Sequence, residues 1–384
     1  MRVLHVVSTD QRRGAELFAS DLIHALTNEG VEQRVCVLRS MESDSFEYGV
    51  PTDLLECASR WPVIGVDGLG IRRLRAVVKE WKPDIIQAHG GETLSYSVPA
   101  ALRSDARVVY RRIGSTPNWM AGRLKKAALG SLMRRADLVI AVADFVRREV
   151  EVDFRVLPSK IVVIPNGIDV RRLHASNTPA AAKAKLGIPE EGQVVLSLGA
   201  LTLEKDPLAQ VEIMTRVLEQ EDTCYFAMAG DGPLRSELEE VVSRTPCADR
   251  IRVLGVRRDV GDLLCAADVL LLASRTEGMP AAILEAGASG VPVAAYAIAG
   301  VPEIVEDGVT GLLAAPGDVD RLRRRVVELL QDADLRAELG SAGRAQLASR
   351  FTIDAIAHSY MKAYRTLATA AAPLESKVGD EIAS

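Results

Sequence analysis

Aromatic residues make up only 4% of the chain, and cysteine is scarce, with five in 384 residues. Cys36, Cys57, Cys224, Cys247 and Cys265 are odd in number, form no Cys-x-x-Cys pair and stand at no zinc-like spacing from a histidine. That argues against a disulfide framework and reads as small buried hydrophobes in a reducing compartment. No apolar run approaches the length of a bilayer span, and the opening MRVLHVVSTD has no apolar core of a secretory signal, so a cytoplasmic location is expected. No Gly-x-Gly-x-x-Gly follows a predicted strand, and Asp10-Gln11-Arg12-Arg13-Gly14 is a poor substitute. A nicotinamide-dependent dehydrogenase is therefore disfavoured. Nor is there an Asp-x-Asp triplet of the kind that places a metal on a diphosphate, so no metal and no cofactor are expected.

What is plentiful is Ala, Val, Leu and Gly, a mix suited to parallel sheets covered by helices. The length asks for two domains. Two similar passages open them. Met1–Ser8 is an apolar strand followed by a polar loop and the helical pattern Leu17–Asn28; Gln193–Leu198 is a strand followed by GALTLEKDP and a helix over Leu208–Glu219. Further strands are predicted at Asp84–Ala88, Arg107–Tyr110, Leu138–Val142 and Ile161–Ile164, then at Tyr225–Ala229, Ile251–Leu254, Val269–Ala273 and Val293–Tyr296. Alternation of strand and helix implies an α/β fold with right-handed crossovers. The seam lies between Asn166 and Gly192, where Ala175–Ala184 shows no strand pattern, and a last helix runs from Ile353 to Thr369. Charge divides as well: Met1 to Lys185 holds 28 Lys and Arg against 21 Asp and Glu, the remainder 19 against 31. A basic first half is expected to meet something anionic, though not nucleic acid.

The densest chemistry lies in Ser274–Pro302, SRTEGMPAAILEAGASGVPVAAYAIAGVP. Between Glu277 and Glu303 the one charged residue is Glu285, set among Ile283, Leu284 and Ala286. A carboxylate in so apolar a helix is costly to bury unless it reaches a polar surface or a ligand. Glu277 precedes Gly278-Met279-Pro280, with Pro280 expected in the first helical turn. The free amides of Gly278 to Ala281, with the helix dipole behind them, form an anion site. Carboxylates on either side suit pairs of vicinal hydroxyls. The segment thus offers a diol acceptor, a diphosphate cradle and a second diol acceptor in order. The competing structural reading has Glu277 capping the helix and Glu285 paired with a distant arginine.

Five motifs in order, IPNGID at Ile164–Asp169, EKDP at Glu204–Pro207, GDGPL at Gly230–Leu234, the Glu-x7-Glu of Glu277 and Glu285, and GVPEIVEDGVTGLL at Gly300–Leu313, resemble those of the retaining GT-B glycosyltransferases of family 4. The likeness covers nearly the whole chain and is strongest from Ile161 to Leu313. It implies two Rossmann-like domains facing across a cleft: an acceptor-side domain over residues 1–170, a nucleotide-sugar domain over 171–352, and a C-terminal helix, about 353–384, packing back on the first. By the same resemblance Glu277 holds hydroxyls of the transferred sugar, Glu285 the ribose, Lys205 the diphosphate with the Gly278–Ala281 amides, and Gly255 lies near the nucleobase. Gly14 matches a loop approaching the phosphates, where Arg13 replaces a usual glycine. His89, in IIQAHG, stands where ligands of open α/β sheets collect and is a candidate catalytic group. Ala200 occupies a place where many relatives carry arginine. Arg111-Arg112-Ile113 stands where many carry histidine, and Arg111 or Arg112 is expected to meet an anionic donor or acceptor group.

The implied reaction is transfer from a nucleotide sugar with retention and without metal, catalysis coming from positioning and from stabilising the leaving diphosphate. The acceptor, a glycan, a lipid-linked or a small molecule, would meet the first domain, where Arg103 to Arg148 holds eleven Lys and Arg against three Asp. Trp119–Arg135 reads equally as an amphipathic helix resting on the inner face of an anionic membrane and as an ordinary surface helix. The non-enzymatic alternative is a sugar-nucleotide-binding scaffold, which Ala200 and the missing histidine favour and intact Lys205, Glu277 and Glu285 oppose.

Overall fold

The computed structural model describes residues 1–11, 14–40, 47–57, 67–114 and 122–369. Among them two parallel sheets form. The first holds β1 (Arg2–Thr9), β2 (Glu32–Arg39), β3 (Thr52–Leu54), β4 (Ile85–His89), β5 (Arg107–Arg112), β6 (Leu138–Ala141) and β7 (Ile161–Val163), in the order β3-β2-β1-β4-β5-β6-β7. The second holds β8 (Gln193–Leu198), β9 (Cys224–Ala229), β10 (Ile251–Gly255), β11 (Val269–Leu272), β12 (Val293–Tyr296) and β13 (Gly311–Ala314), in the order β10-β9-β8-β11-β12-β13. Both are doubly wound. β4, β11 and β12 are buried along their whole length, which follows from helices on both faces; β11 is accordingly an unbroken aliphatic run, while β4 also buries Gln87 and His89.

β2, β3 and β13 were not legible as strands. Glu32–Arg39 mixes charge into its run, and the other two span three and four residues. The Ala-rich seam contains a helix, Pro179–Lys185, started by Thr178, whose Oγ1 accepts from the Ala181 amide at 3.3 Å. Of Trp119–Arg135, the helix Arg123–Arg135 is formed, and residues 115–121 lie outside the described residues.

The helix Ile353–Thr369 crosses from the second sheet to the first. Ile168 and Phe351 to Ile353 exchange backbone hydrogen bonds at 2.9 and 3.0 Å, and Tyr360, Met361 and Tyr364 then share a buried cluster with Phe18 and Leu22 of the helix Gly14–Asn28. Residues 370–384 lie outside the described residues. Among the described residues no helix is long and apolar enough to cross a membrane.

In each sheet the chain reverses its winding direction between the first and fourth strands, β1/β4 and β8/β11, and the crevice outside the carboxyl ends of those strands is where such sheets collect ligands. The loop carrying Lys205 leaves β8 and the loop carrying Glu277 leaves β11. They stand side by side because their strands do.

Candidate active site

Lys205 and Glu277, 72 residues apart, meet at this crevice: Lys205 Nζ lies 2.5 Å from Glu277 Oε1, and Ser274 Oγ donates to the same oxygen at 2.8 Å. Glu277 is buried, at 8% exposure, and Lys205 is half-buried. Glu277 therefore does not cap the helix that follows. The Lys205 loop is fixed from two sides. The GDGPL segment holds it through Leu201 N to Asp231 O and Leu234 N to Leu201 O, both 3.0 Å. On the other side Arg275 donates its amide to Glu204 O at 2.8 Å and its Nε to Asp206 Oδ2 at 2.5 Å. Arg275, two residues before Glu277, was not foreseen; its position in the motif segment was the available signal. Ala200, beside the loop, is exposed.

The helix Ala281–Ser289 starts one residue later than expected, with Pro280 at the cap position and no capping side chain. Among the described residues the amides of Gly278 and Met279 donate to nothing, so the head of this helix is an open set of N–H donors. The Met279 side chain and carbonyl are engaged by the first domain: Asn166 donates its amide to Met279 Sδ at 3.1 Å and Nδ2 to Met279 O at 2.8 Å. Gly278 lies against the first domain, where an added Cβ would stand 2.1 Å from Ile113 O and 2.8 Å from Gly114 Cα.

Glu285 is half-buried. Burial raises its carboxyl above the usual range, with the Arg172 charge pulling it back and Asp21 adding to the rise. Arg172 is the arginine that could have locked it, yet its guanidinium pairs with Asp21 at 2.8 Å, and among the described residues nothing hydrogen-bonds to Glu285. Gly255 has φ +67°, the left-handed turn conformation. Gly14 opens its helix with nothing within 4 Å of an added Cβ.

Three further candidates are engaged inside the first domain. His89, at 2% exposure, ends a buried relay. Gln33 Nε2 donates to Ile23 O and Thr27 Oγ1, both at 2.8 Å, so Gln33 Oε1 accepts from His5 Nε2 at 2.9 Å. His5 Nδ1 then accepts from His89 Nε2 at 3.1 Å, which leaves His89 Nδ1 as a lone pair without a partner. Burial holds both rings neutral, His5 lowered to about 4 and His89 well below its usual value, the latter also through His5 and Arg111. Arg111 is buried with its guanidinium 3.7 Å from the Phe18 ring centroid, and its Nη2 donates to Asn166 Oδ1 at 2.5 Å. Arg112 pairs with Glu149 at 3.4 Å.

Among the described residues no three His, Cys, Asp or Glu side chains gather as a metal site. The chain does hold two Asp-x-Asp strings that the sequence reading passed over, at 318–320 and 332–334; both begin helices, where Asp318 and Asp332 accept from Arg321 N and Leu335 N at 2.9 Å.

The family model for Glycosyltransferase Family 4 matches residues 12–172 and that for Glycosyl transferases group 1 matches residues 180–346, one over each sheet. N-acetyl-alpha-D-glucosaminyl L-malate synthase of Bacillus anthracis is 27% identical over 242 residues, 62% of this chain and 62% of that protein. A GDP-mannose-dependent monoacylated alpha-(1-6)-phosphatidylinositol monomannoside mannosyltransferase of Corynebacterium glutamicum is 24% identical over 88% of this chain and 91% of its own length. Among solved structures, Anabaena Alr3699/HepE in complex with UDP and glucose superposes with a TM-score of 0.84 at 20% identity, over 95% of this chain and 100% of that one. With one model on each sheet and the crevice between them built as described, the chain belongs to the family 4, group 1 glycosyltransferases and has the GT-B fold.

Proposed function

We propose that the chain transfers a hexosyl-type sugar from a nucleoside-diphosphate donor, with retention and without a metal ion, to a glycan, lipid-linked or small-molecule acceptor. The observation that carries this reading is the Lys205–Glu277 pair beside an uncapped helix start, with Glu285 farther along the same helix and, among the described residues, without a hydrogen-bond partner. Lys205 and the helix-start amides neutralise the charge that grows on the diphosphate as the anomeric C–O bond breaks. Glu277 holds sugar hydroxyls, Glu285 accepts from the ribose diol, and the leaving phosphate takes the acceptor's proton as the new bond forms on the same face. The GDP-mannose dependence of the Corynebacterium relative and the UDP and glucose in the Anabaena neighbour support a nucleotide-sugar donor. Five free cysteines agree with a cytoplasmic setting.

The test is transfer from a panel of UDP-, GDP- and ADP-sugars in the presence of EDTA, with the anomeric configuration of the product read by NMR. Turnover insensitive to EDTA with retained configuration is expected; inversion, metal dependence, or binding without transfer would each remove the corresponding part. Glu285→Ala should raise the donor KM by about tenfold, the order expected for losing hydrogen bonds to a charged acceptor, with a smaller change in kcat. The pH profile carries the same signature. Only the ionised Glu285 accepts from both ribose hydroxyls, and its pKa is raised, so donor affinity should fall with acidification at a higher pH than an ordinary glutamate would give. That fall should vanish in Glu285→Gln.

We also propose that the basic first domain meets an anionic membrane. A cavity of about 570 Å³ there is lined by Lys126, Arg134, Arg155 and Phe154, and the same stretch of chain exposes Leu124, Val152 and Leu157. Co-sedimentation with vesicles containing phosphatidylglycerol, lost as salt rises, is expected. Absence of binding at low salt refutes it.

A further inference from the structure

The motif Gly300–Leu313 has no part in holding the donor as described, yet its first acidic residue reaches across the molecule. Glu303, 159 residues from its partner in sequence, accepts at Oε2 from the amide of Asp144 at 2.7 Å and at Oε1 from the amide of Phe145 at 2.9 Å. These are the first two amides of the first-domain helix Asp144–Val152, whose own cap residue, Ala143, has no side chain that can accept from them. A helix start left bare by its own sequence is thus capped by a carboxylate of the other domain, on the side of the helix dipole that favours negative charge.

The same contact bears on the donor loop. At Gly300 an added Cβ would stand 1.9 Å from Gly278 O and 3.0 Å from the Ala143 side chain, so the backbone entering Glu303 runs between Gly278 and the capped helix. Gly278 touches Ile113 and Gly114 from its other side. Asn166, itself fixed by Arg111, ties down Met279. The loop that begins the anion-binding helix is therefore held against the first domain on three sides, and of these three contacts the Glu303 cap is the one made by a charged side chain.

We propose that Glu303 is a positioning residue for transfer: its carboxylate clasps the helix start at Asp144 when the two domains close, and so seats the Gly278–Pro280 loop against the first domain, where the acceptor arrives. The inference rests on the transferase reading above. Glu303 touches neither donor nor acceptor and acts through the loop.

Three variants test it: Glu303→Ala, Glu303→Gln, and Glu303→Ala combined with Ala143→Ser, which gives the helix a cap of its own. Nucleoside diphosphate affinity is read by calorimetry, turnover by product release, and closure by small-angle scattering with and without nucleotide. Glu303→Ala should keep nucleotide affinity within about threefold while kcat falls at least about tenfold, the order of a lost charge-assisted hydrogen-bond pair. Its nucleotide-bound form should also stay more open than the parent's. Glu303→Gln, which keeps one acceptor oxygen, should fall between. Adding Ala143→Ser should restore thermal stability without restoring turnover. Recovery of turnover by Ala143→Ser would make Glu303 a plain helix cap and overturn the proposal, as would parental kcat in Glu303→Ala. Should Glu303→Ala fail to fold, Glu303→Gln with parental kcat and parental closure overturns it equally. A parent chain that neither binds nucleotide nor transfers sugar would instead defeat the transferase reading, which separates the two failures.

Discussion

Lys205→Met is expected to lower kcat/KM by roughly 10²–10³-fold, the cost of removing one fixed electrostatic partner of a leaving group. It should also lower the melting temperature of the ligand-free protein. The second effect follows from Glu277, whose Oε1 accepts from both Lys205 and Ser274 while the side chain is only 7% exposed. With the ammonium gone, a buried carboxylate keeps a single hydroxyl donor, and an uncompensated buried charge is destabilising. Lys205 itself is 29% exposed, so part of that penalty is relieved by water reaching the site. The two effects separate in Lys205→Met/Glu277→Gln. Neutralising the orphaned carboxylate should restore most of the stability, whereas turnover should stay at or below that of the single variant. In the ligand-free protein the two side chains hold each other; with donor bound, the ammonium is expected to turn to the diphosphate and the carboxylate to the sugar. A double variant that transfers sugar at a rate near the parent's would make the pair a structural ion bridge and nothing more.

Much of this site could be read from the chain because its parts are local. Glu277, the Gly278–Pro280 turn and Glu285 lie within nine residues, and an acid isolated in an aliphatic helix is conspicuous whatever surrounds it. Lys205 was legible only through its EKDP motif, since an isolated lysine reads as a solvated surface residue. What stayed hidden is what joins distant segments: Arg275 to Asp206, Asn166 to Met279, Glu303 to the amides of Asp144 and Phe145. Backbone amides leave no trace in side-chain pattern, so a carboxylate spent on them cannot be distinguished from a surface glutamate. Arg111 and Arg112 show the same limit from the other side, since their neighbours lie far off in sequence. Their place, where many relatives carry histidine, suggested a contact for an anionic group; the structure shows Arg111 against Phe18 and Arg112 beside Glu149, with Arg111 Nε and Nη1 buried and without a hydrogen-bond partner among the described residues. In the fold, long aliphatic strands were plain, whereas β2 was masked by its charged residues. The helix Pro179–Lys185 did carry a signal, Thr178-Pro179, that matches a cap followed by proline at the first helical position.

The other large effect belongs to a residue with no side chain. Gly278→Ala should reduce kcat by roughly a hundredfold, the scale of a misplacement of about an ångström at a reacting centre. An added Cβ would fall 2.1 Å from the Ile113 carbonyl oxygen and 2.8 Å from Gly114 Cα. Both are backbone atoms, so no rotamer change relieves the overlap, and trimming the Ile113 side chain should not rescue the variant. The backbone at Gly278 is not in the left-handed region, so alanine there meets no conformational penalty of its own. Each sheet keeps its own strands and buried aliphatic residues, and the variant should therefore fold. The remaining way to make room is for the first-domain loop to move off the second domain, which opens the cleft and draws the acceptor side away from the donor. Lys205 and Glu285 both belong to the second domain and would still meet the nucleotide, so nucleoside diphosphate affinity should fall much less than turnover. Scattering should show a larger radius of gyration in the nucleotide-bound variant than in the nucleotide-bound parent. If Gly278→Ala closes and turns over like the parent, the contact of this loop with Ile113 and Gly114 is not part of the working enzyme, and the donor cradle operates without the first domain pressed against it.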